Sequence, residues 1–514
     1  MPEYLAPGVY VEEIERGPKP IEGVATSTAA FLGATELGPS RPRLVTSYSE
    51  YLRYFGDIFS DSAFLPYSVR AFFDNGGRRV YIARISGANA VAANVDLAGF
   101  TLTATGVGTA YHRVQARIEP GTTRNAAGDP IGFRLRVWYW AKAAPNIPYD
   151  VQAADDAGGD PPGPRPNVTE DFDDLSIDPA SPSYFEKRVN GNSAFVEIEA
   201  SGAAPPQLPG GATSAVLADG ADDDALTLPS FLGEAQDPNQ RTGLAALALD
   251  RYRDVAIVHA PAAASDVVQA VITHCERNRF RFAVVDSDAD QADASNLDPR
   301  TTLRDSTYAS FYYPWIFVSD PRSGARRKIP PGGAVCGIYA LTDNTTGVWK
   351  APANEVVAGA IDLEYEVTTG TQEVLNPRGV NAIRRFPGRG IRVWGARTLS
   401  SDPLWKYTNV RRLFIFLEAS IYYSTQWVVF EPNDPRLWAR VQQTITLFLR
   451  TQWREGALFG EKEEEAFRVV VGRATMTEDD ILNGRLIVEI GIAPVRPAEF
   501  VIFRVYQQTQ EATS

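Results

Sequence analysis

The chain has 514 residues, of which 44% are hydrophobic and 22% charged, with a formal net charge of −13. That length and apolar content can fill about two to four domains, and the acidic balance argues against nucleic acid as a partner, because phosphate backbones are bound by net positive surfaces. Two cysteines, Cys275 and Cys336, make neither a disulfide framework nor a zinc set, and no apolar run reaches the ~18 residues that span a bilayer, so no direct membrane insertion is expected.

The chain opens on a strand-like run, Tyr4 to Glu13, whose apolar and aromatic residues Tyr4, Val9, Tyr10 and Val11 need a sheet to join. The start lacks a basic segment followed by an apolar one, so no secretory leader is expected. A Gly17 to Pro20 break leads to a buried strand within Val24 to Gly33. Ser47 to Phe55 reads as an amphipathic helix with Ser47 as N-cap, and Ser62 to Asp74 as a second helix stopped at Asn75-Gly76-Gly77. Arg79 to Ile85 follows as a strand. From about Ala88 to Ala225, Ala, Gly, Thr, Asp and Pro dominate, with alternating runs at Tyr111 to Ile118, Phe133 to Trp140 and Ala194 to Glu199. The Asp/Gly/Pro-rich Ala153 to Pro166 reads as a mobile loop.

An α/β pattern returns from Leu226. Val255 to His259 is a strand, Ser265 to Arg279 a helix, and Phe280 to Asp286 a strand, which together predict a parallel pair. Tyr313 to Ser319 and Ala334 to Leu341 are expected as two further strands. Asp402-Pro403 predicts a helix start, with Tyr407, Val410, Phe414, Leu417 and Ile421 at helical spacing. Trp427 to Phe430 is expected as a strand. Asp434-Pro435 starts another helix with the stripe Leu437, Val441, Ile445, Phe448 and Leu449, ended by Gly456. Strands follow at Ala466 to Val471, Leu486 to Ile492 and Phe500 to Tyr506, the last carrying Phe500, Ile502, Phe503 and Val505. A strand at a chain end with no local hairpin partner can add itself to a neighbouring molecule.

The chemistry of catalysis and metal binding is thin. There is no P-loop and no His-Glu-x-x-His, and the three histidines are scattered at His112, His259 and His274. His259, at the end of a strand, reads either as a base or as a hydrogen-bonded structural residue, the latter being commoner. Asp286, Asp288 and Asp290 resemble the front of a calcium loop, but Gln291 and Leu297 stand where that loop needs Gly and an acid. The Glu461 to Glu465 run reads as a solvated turn or as an acidic contact with a basic partner surface. No cofactor is expected.

Several stretches, in this order, resemble the tail sheath proteins of contractile phage tails and contractile injection systems, with the opening similar to the extracellular injection-system type. They are Ala6 to Glu13 (APGVYVEE), Val24 to Gly33 (VATSTAAFLG), Phe55-Gly56, Gly76 to Tyr81 (GGRRVY), Gly347 to Asn354 (GVWKAPAN), Gly395 to Leu399 (GARTL), Arg411 to Leu413, Val429 to Asn433 (VFEPN) and Gly456 to Gly460 (GALFG). The resemblance implies a mixed α/β fold. Its inner domain would be built from both chain ends, carrying inserted outer α/β and β-rich domains and extended terminal strand arms. The corresponding segments are an arm at 1–22, inner domain at 23–87, β-rich insert at 88–225, α/β middle domain at 226–342, inner C-terminal domain at 343–498 and a second arm at 499–514.

The resemblance further implies no enzymatic activity. It implies a polymer of stacked homohexameric discs around an inner tube, with baseplate and terminal cap proteins as further partners, assembled in the bacterial cytoplasm and then part of a tail or tail-like particle. Tube contact is expected at Arg454, Glu461, Glu463, Glu464 and Glu465. The competing readings are an α/β enzyme acting through the middle domain and another tail or baseplate component.

Overall fold

The structure is a computed structural model that describes residues 20–142, 165–202 and 206–504. The arm residues Tyr4, Val9, Tyr10, Val11 and Val505, the Gly17 to Lys19 part of the Gly17 to Pro20 break and the Ala153 to Pro164 part of the expected mobile loop lie outside the described residues. The described residues form two compact units, one within 25–411 and one of 412–504 together with 20–24.

In the larger unit the small and apolar run before Gly33 becomes β1 (Ala29–Gly33), buried from Ala29 to Leu32. Then come β2 (Arg43–Val45), α1 (Tyr48–Phe55), α2 (Leu65–Asp74) and β3 (Val80–Arg84). Ser47 caps α1, its hydroxyl accepting from the Glu50 amide at 3.1 Å. The next seven strands are β4 (Ala92–Leu97), β5 (Phe100–Val107), β6 (Val114–Pro120), β7 (Phe133–Tyr139), β8 (Val168–Leu175), β9 (Val196–Ala200) and β10 (Thr213–Val216). They form two sheets, β4-β5-β9 and β10-β6-β7-β8, around a core in which Phe100 packs on Phe133 and Phe185. The first half of the expected Tyr111 to Ile118 strand is instead a 3-10 turn at Thr109–Arg113. Buried Arg84 fastens this β-rich module to the sheet that carries β3, donating to Gly38 O at 2.9 Å and Val107 O at 2.6 Å.

The chain then returns through β11 (Ile257–His259), α3 (Ser265–Asn278), β12 (Phe282–Asp286), β13 (Ala309–Tyr313), β14 (Ile316–Ser319), β15 (Arg326–Ile329), α4 (Gly332–Thr345), β16 (Asp362–Leu363), β17 (Val380–Phe386) and β18 (Gly390–Val393). Eight strands make one sheet in the order β18-β17-β13-β12-β11-β1-β3-β2. The six from β17 to β3 run parallel, and the two edges run antiparallel. The expected β11-α3-β12 parallel unit is present. Val267, Val268, Val271, Ile272 and Cys275 of α3 join the core on one face with Ala30, Ala83 and Val258. On the other face Phe31 and Phe72 meet edge to face at 5.4 Å. The strands β1, β3, β11 to β13 and β17 share one sheet, so parts of the segments 23–87, 226–342 and 343–498 lie in one compact unit.

Three expectations are corrected. Ala334 to Leu341 is not a strand but lies inside α4. A continuous apolar run suits a buried helix as well as a buried strand. Glycines at i and i+4 decide for the helix, since a Cβ on Gly333 would stand 2.5 Å from Ser68 Cα of α2 and one on Gly337 2.5 Å from Phe72 O. Tyr313 to Ser319 is not one strand. Pro314 has no ladder N–H, and the segment divides around it between the large sheet and a three-stranded sheet β15-β14-β16. Asp402-Pro403 opens only a 3-10 turn, Pro403–Trp405, and the long helix starts later, at Thr408.

Candidate assembly interface

The smaller unit takes its framework from two helices and a hairpin-like ladder. The first helix, α5 (Thr408–Ser424), belongs to this unit from Arg412 on and is buried at Leu413, Ile415, Leu417, Ala419 and Ser420. The second, α6 (Pro435–Arg454), begins as the sequence predicts: the Asp434 carboxylate accepts from the amides of Arg436 and Leu437, both at 2.9 Å. Its predicted stripe, Leu437, Val441, Ile445, Phe448 and Leu449, is buried, which makes it core. Between the helices the expected strand at Trp427 to Phe430 is a 3-10 turn, Gln426–Val428. Val429 and Phe430 stand exposed and join no strand among the described residues, Phe430 with φ +68°.

Past α6, Gly456 turns the chain with φ +90°, and the Trp453 indole donates to Gly460 O at 2.9 Å. A short helix α7 (Glu463–Ala466) precedes β19 (Phe467–Val471), and α8 (Glu478–Leu482) precedes β20 (Val488–Ile492). Strands β19 and β20 pair antiparallel, Phe467 opposite Ile492 and Val471 opposite Val488, and form a sheet of two. The direction of each backbone group follows from one further bond. Ala493 N–H donates to Ala466 O at 2.9 Å, continuing the same register. Antiparallel pairs alternate between bonded and non-bonded, so Arg468/Gly491 and Val470/Glu489 exchange bonds, while the amides of Val488, Ile490 and Ile492 face away. Val469 O faces away from β20 by the same alternation, and it accepts from the Gln442 side chain of α6 at 3.0 Å. The outer edge of β19 is thus partly capped, and along that of β20 no strand of the described residues pairs with the outward donors and acceptors.

The expected C-terminal arm begins next to this edge in sequence. Phe500, Val501, Ile502 and Phe503 are 67–86% exposed and carry no helix or strand. Twelve of the twenty-one exposed large apolar side chains among the described residues belong to the smaller unit, which holds about a fifth of those residues.

The charged residues expected at the tube contact divide. Glu463 is engaged within the chain: Arg450 of α6 clamps its carboxylate through two bonds, 2.6 and 2.9 Å, and holds its pKa below the usual glutamate range. Glu465 accepts from the Glu461 amide at 3.0 Å, and the run, exposed at Glu461, Glu464 and Glu465, ends in the short helix α7. Arg454 and Glu464 are exposed. Sequence reading missed that α6 carries arginines at 436, 440, 450 and 454 and no acid, all outside its apolar stripe. Glu431 pairs with Arg440 at 2.8 Å.

His259 lies elsewhere, at the C-terminal end of β11 and fully buried. Its Nδ1–H donates to Val284 O at 2.9 Å, and Nε2 stands 3.6 Å from the Asp286 carboxylate. Asp286 accepts from the Gly332 amide at 2.7 Å, and burial lifts its pKa against the pull of His259 and that amide. A Cβ on residue 332 would sit 2.8 Å from His259 Nε2. The group therefore closes the start of α4 onto the sheet, in the manner of a structural histidine. Asp290, the third acid of the calcium-like run, pairs with Lys328 at 2.7 Å.

Residues 233–399 match the family described as phage tail sheath protein, central domain, and residues 400–508 match the phage tail sheath C-terminal domain. The tail sheath protein of Burkholderia phage BcepMu is 22% identical, over 96% of this chain and 94% of that one. Among solved structures, the PVC sheath of an extracellular contractile injection system in its contracted state superposes with a TM-score of 0.59 at 23% identity, covering 99% of this chain and 100% of that one. The contracted helical sheath of the anti-feeding prophage does so with 0.58 at 25% identity, covering 98% and 99%.

Proposed function

The chain belongs to the phage tail sheath family, and from that premise we propose that it polymerises as stacked hexameric discs around an inner tube, is held there in a metastable extended state, and contracts to drive the tube through a target envelope. A repeated head-to-tail contact that does not close on itself gives an open helical sleeve. Arms that reach into neighbours keep the sleeve continuous while rigid bodies turn relative to one another.

One observation carries this reading: β20 offers outward amides at Val488, Ile490 and Ile492 on a sheet that has two strands among the described residues, in a chain whose two ends are strand-like and apolar in sequence. An added strand of four or five ladder bonds contributes about 2–7 kcal/mol at ~0.5–1.5 kcal/mol each, before apolar burial at ~25 cal/mol per Å². The arm residues are Tyr4, Val9, Tyr10 and Val11 at one end and Phe500, Ile502, Phe503 and Val505 at the other. The work of contraction is stored when the sleeve is built, so the reading requires no nucleotide. Further partners are the inner tube, the baseplate and a terminal cap, and the particle is assembled in the bacterial cytoplasm.

Tube contact is assigned to the end of α6 and the turn beyond it, through Arg454 and Glu464, since Glu463 is committed to Arg450. Reversing Arg454 and Glu464 together releases the tube and leaves sleeves able to form; normal tube retention sinks that assignment. The polymer itself is tested by expressing the chain alone and viewing it by negative-stain microscopy. Hollow ribbed cylinders that vanish on deleting residues 1–14 support it, and monodisperse monomer at high concentration contradicts it.

A further inference from the structure

The root of the N-terminal arm is laid along α5 in a specific way. The Glu22 amide donates to the Ser424 hydroxyl at 3.2 Å, and the Val24 amide donates to the Ser420 hydroxyl at 3.1 Å. Ser420 is fully buried and its own hydroxyl donates to Phe416 O at 2.7 Å, so its proton is committed and its lone pairs face the arm. Gly23 lies over the Phe416 ring, where a Cβ would come to 3.1 Å from Cε2 and Cζ.

The spacing explains why two serines suffice. Positions i and i+4 of a helix are ~6 Å apart along the axis, and two residues of extended chain span ~6.6 Å. Residues 22 and 24 therefore meet residues 424 and 420 in step, running antiparallel to the helix. The hydroxyls act as two rungs of a ladder, and the absent side chain at 23 lets the backbone lie close.

We infer that Ser420 and Ser424 form a clasp that holds the root of the N-terminal arm on α5 at Glu22 and Val24, so that the pivot of the arm is Glu22 and not Val24 or beyond. The inference rests on the arm reading above for its purpose, but not for its geometry. Opening the clasp would free three more residues, adding about 10 Å of reach at ~3.3 Å per residue. The spacing that an arm permits between copies is then set in part by two side chains on α5. Ser420 and Ser424 are positioning residues.

The test is amide hydrogen exchange, resolved to single residues, on the full chain kept unassembled at low concentration. Ser420→Ala combined with Ser424→Ala is expected to speed exchange at Glu22 and Val24 by tenfold or more, with the amides of α6 unchanged. Ser424→Ala alone, at the half-exposed end of α5, is expected to speed Glu22 and to spare Val24, and it decides the matter if the double variant does not fold. Unchanged rates at both amides in a folded variant overturn the clasp. Because the measurement is made on single chains, it reads the clasp whether or not residues 1–14 bridge copies. Bridging is read separately, by the loss of cylinders in the 1–14 deletion.

Discussion

Replacing Ile490 by proline separates the outer edge of β20 from its inner one. The Ile490 amide faces away from β19, as the Ala466–Ala493 bond and the register require, so proline removes no bond inside the two-stranded ladder. Its φ near −65° and the extended conformation it imposes on residue 489 are tolerated on an edge strand. An incoming arm, by contrast, loses the donor at 490, and the ring obstructs the neighbouring pairing. Losing one or two of four or five ladder bonds costs about 1–3 kcal/mol, which raises the concentration needed for polymerisation roughly 5- to 150-fold at ~1.4 kcal/mol per decade.

The matched control is Gly491→Pro, whose amide faces Arg468, so that it weakens the chain's own ladder. Sedimentation across a concentration series gives the threshold, and thermal unfolding by circular dichroism gives the stability of the single chain. Ile490→Pro is expected to melt close to wild type and to polymerise poorly, and Gly491→Pro to melt early. Polymerisation of Ile490→Pro at the wild-type threshold would refute the assignment of that edge as a docking site.

Three further outcomes follow from the smaller unit. Leu449→Ala, at a fully buried position of α6, should cost about 2–5 kcal/mol in a denaturant titration; a cost below 1 kcal/mol would mean that α6 is not packed as described. Asp434→Ala removes the acceptor for two helix-start amides and should cost about 0.5–2 kcal/mol, with Asp434→Asn recovering most of it. Glu463→Gln tests the Arg450 clamp by its pH dependence. The folded-state pKa of Glu463 is depressed, so its contribution is present above the unfolded value and disappears as pH falls through the folded one. The melting difference between Glu463→Gln and wild type should therefore be seen at pH 7 and vanish in strong acid, and a difference that persists there would contradict the ion pair.

What could be read from the residues was local. Asp434-Pro435 and the five-residue stripe of α6 announce a capped, one-sided helix, and Ser47 announces α1, because caps and periodicity are written within a few positions. The β11-α3-β12 unit was legible for the same reason. The joining of β1 to β11 was not: Ala29 pairs with Ile257 across the whole β-rich module, and no local pattern reports a partner that distant. α4 was misread because its apolar run has no polar face to give it a period; the helix is enclosed between the sheet and α2. At Trp427 to Phe430, β-branched and aromatic residues suggest a strand, but Val429 and Phe430 are exposed and join no strand among the described residues, so propensity for a sheet is not membership of one. As for the interface, the apolar chain ends could be seen in the sequence. The open edge of β20 could not, because which amides face outward depends on register, and register is fixed only once β19 is in place. The Ser420 and Ser424 clasp is likewise invisible without knowing that residues 22 and 24 lie on α5.

A density map of the assembled polymer, at a resolution that traces backbones, examines the account at its root. The β20 edge of each copy is expected to carry an added strand traced to residues 4–13 or 500–508 of another copy. Terminal segments that turn back onto their own chain, with the Val488, Ile490 and Ile492 amides left to solvent, would contradict it.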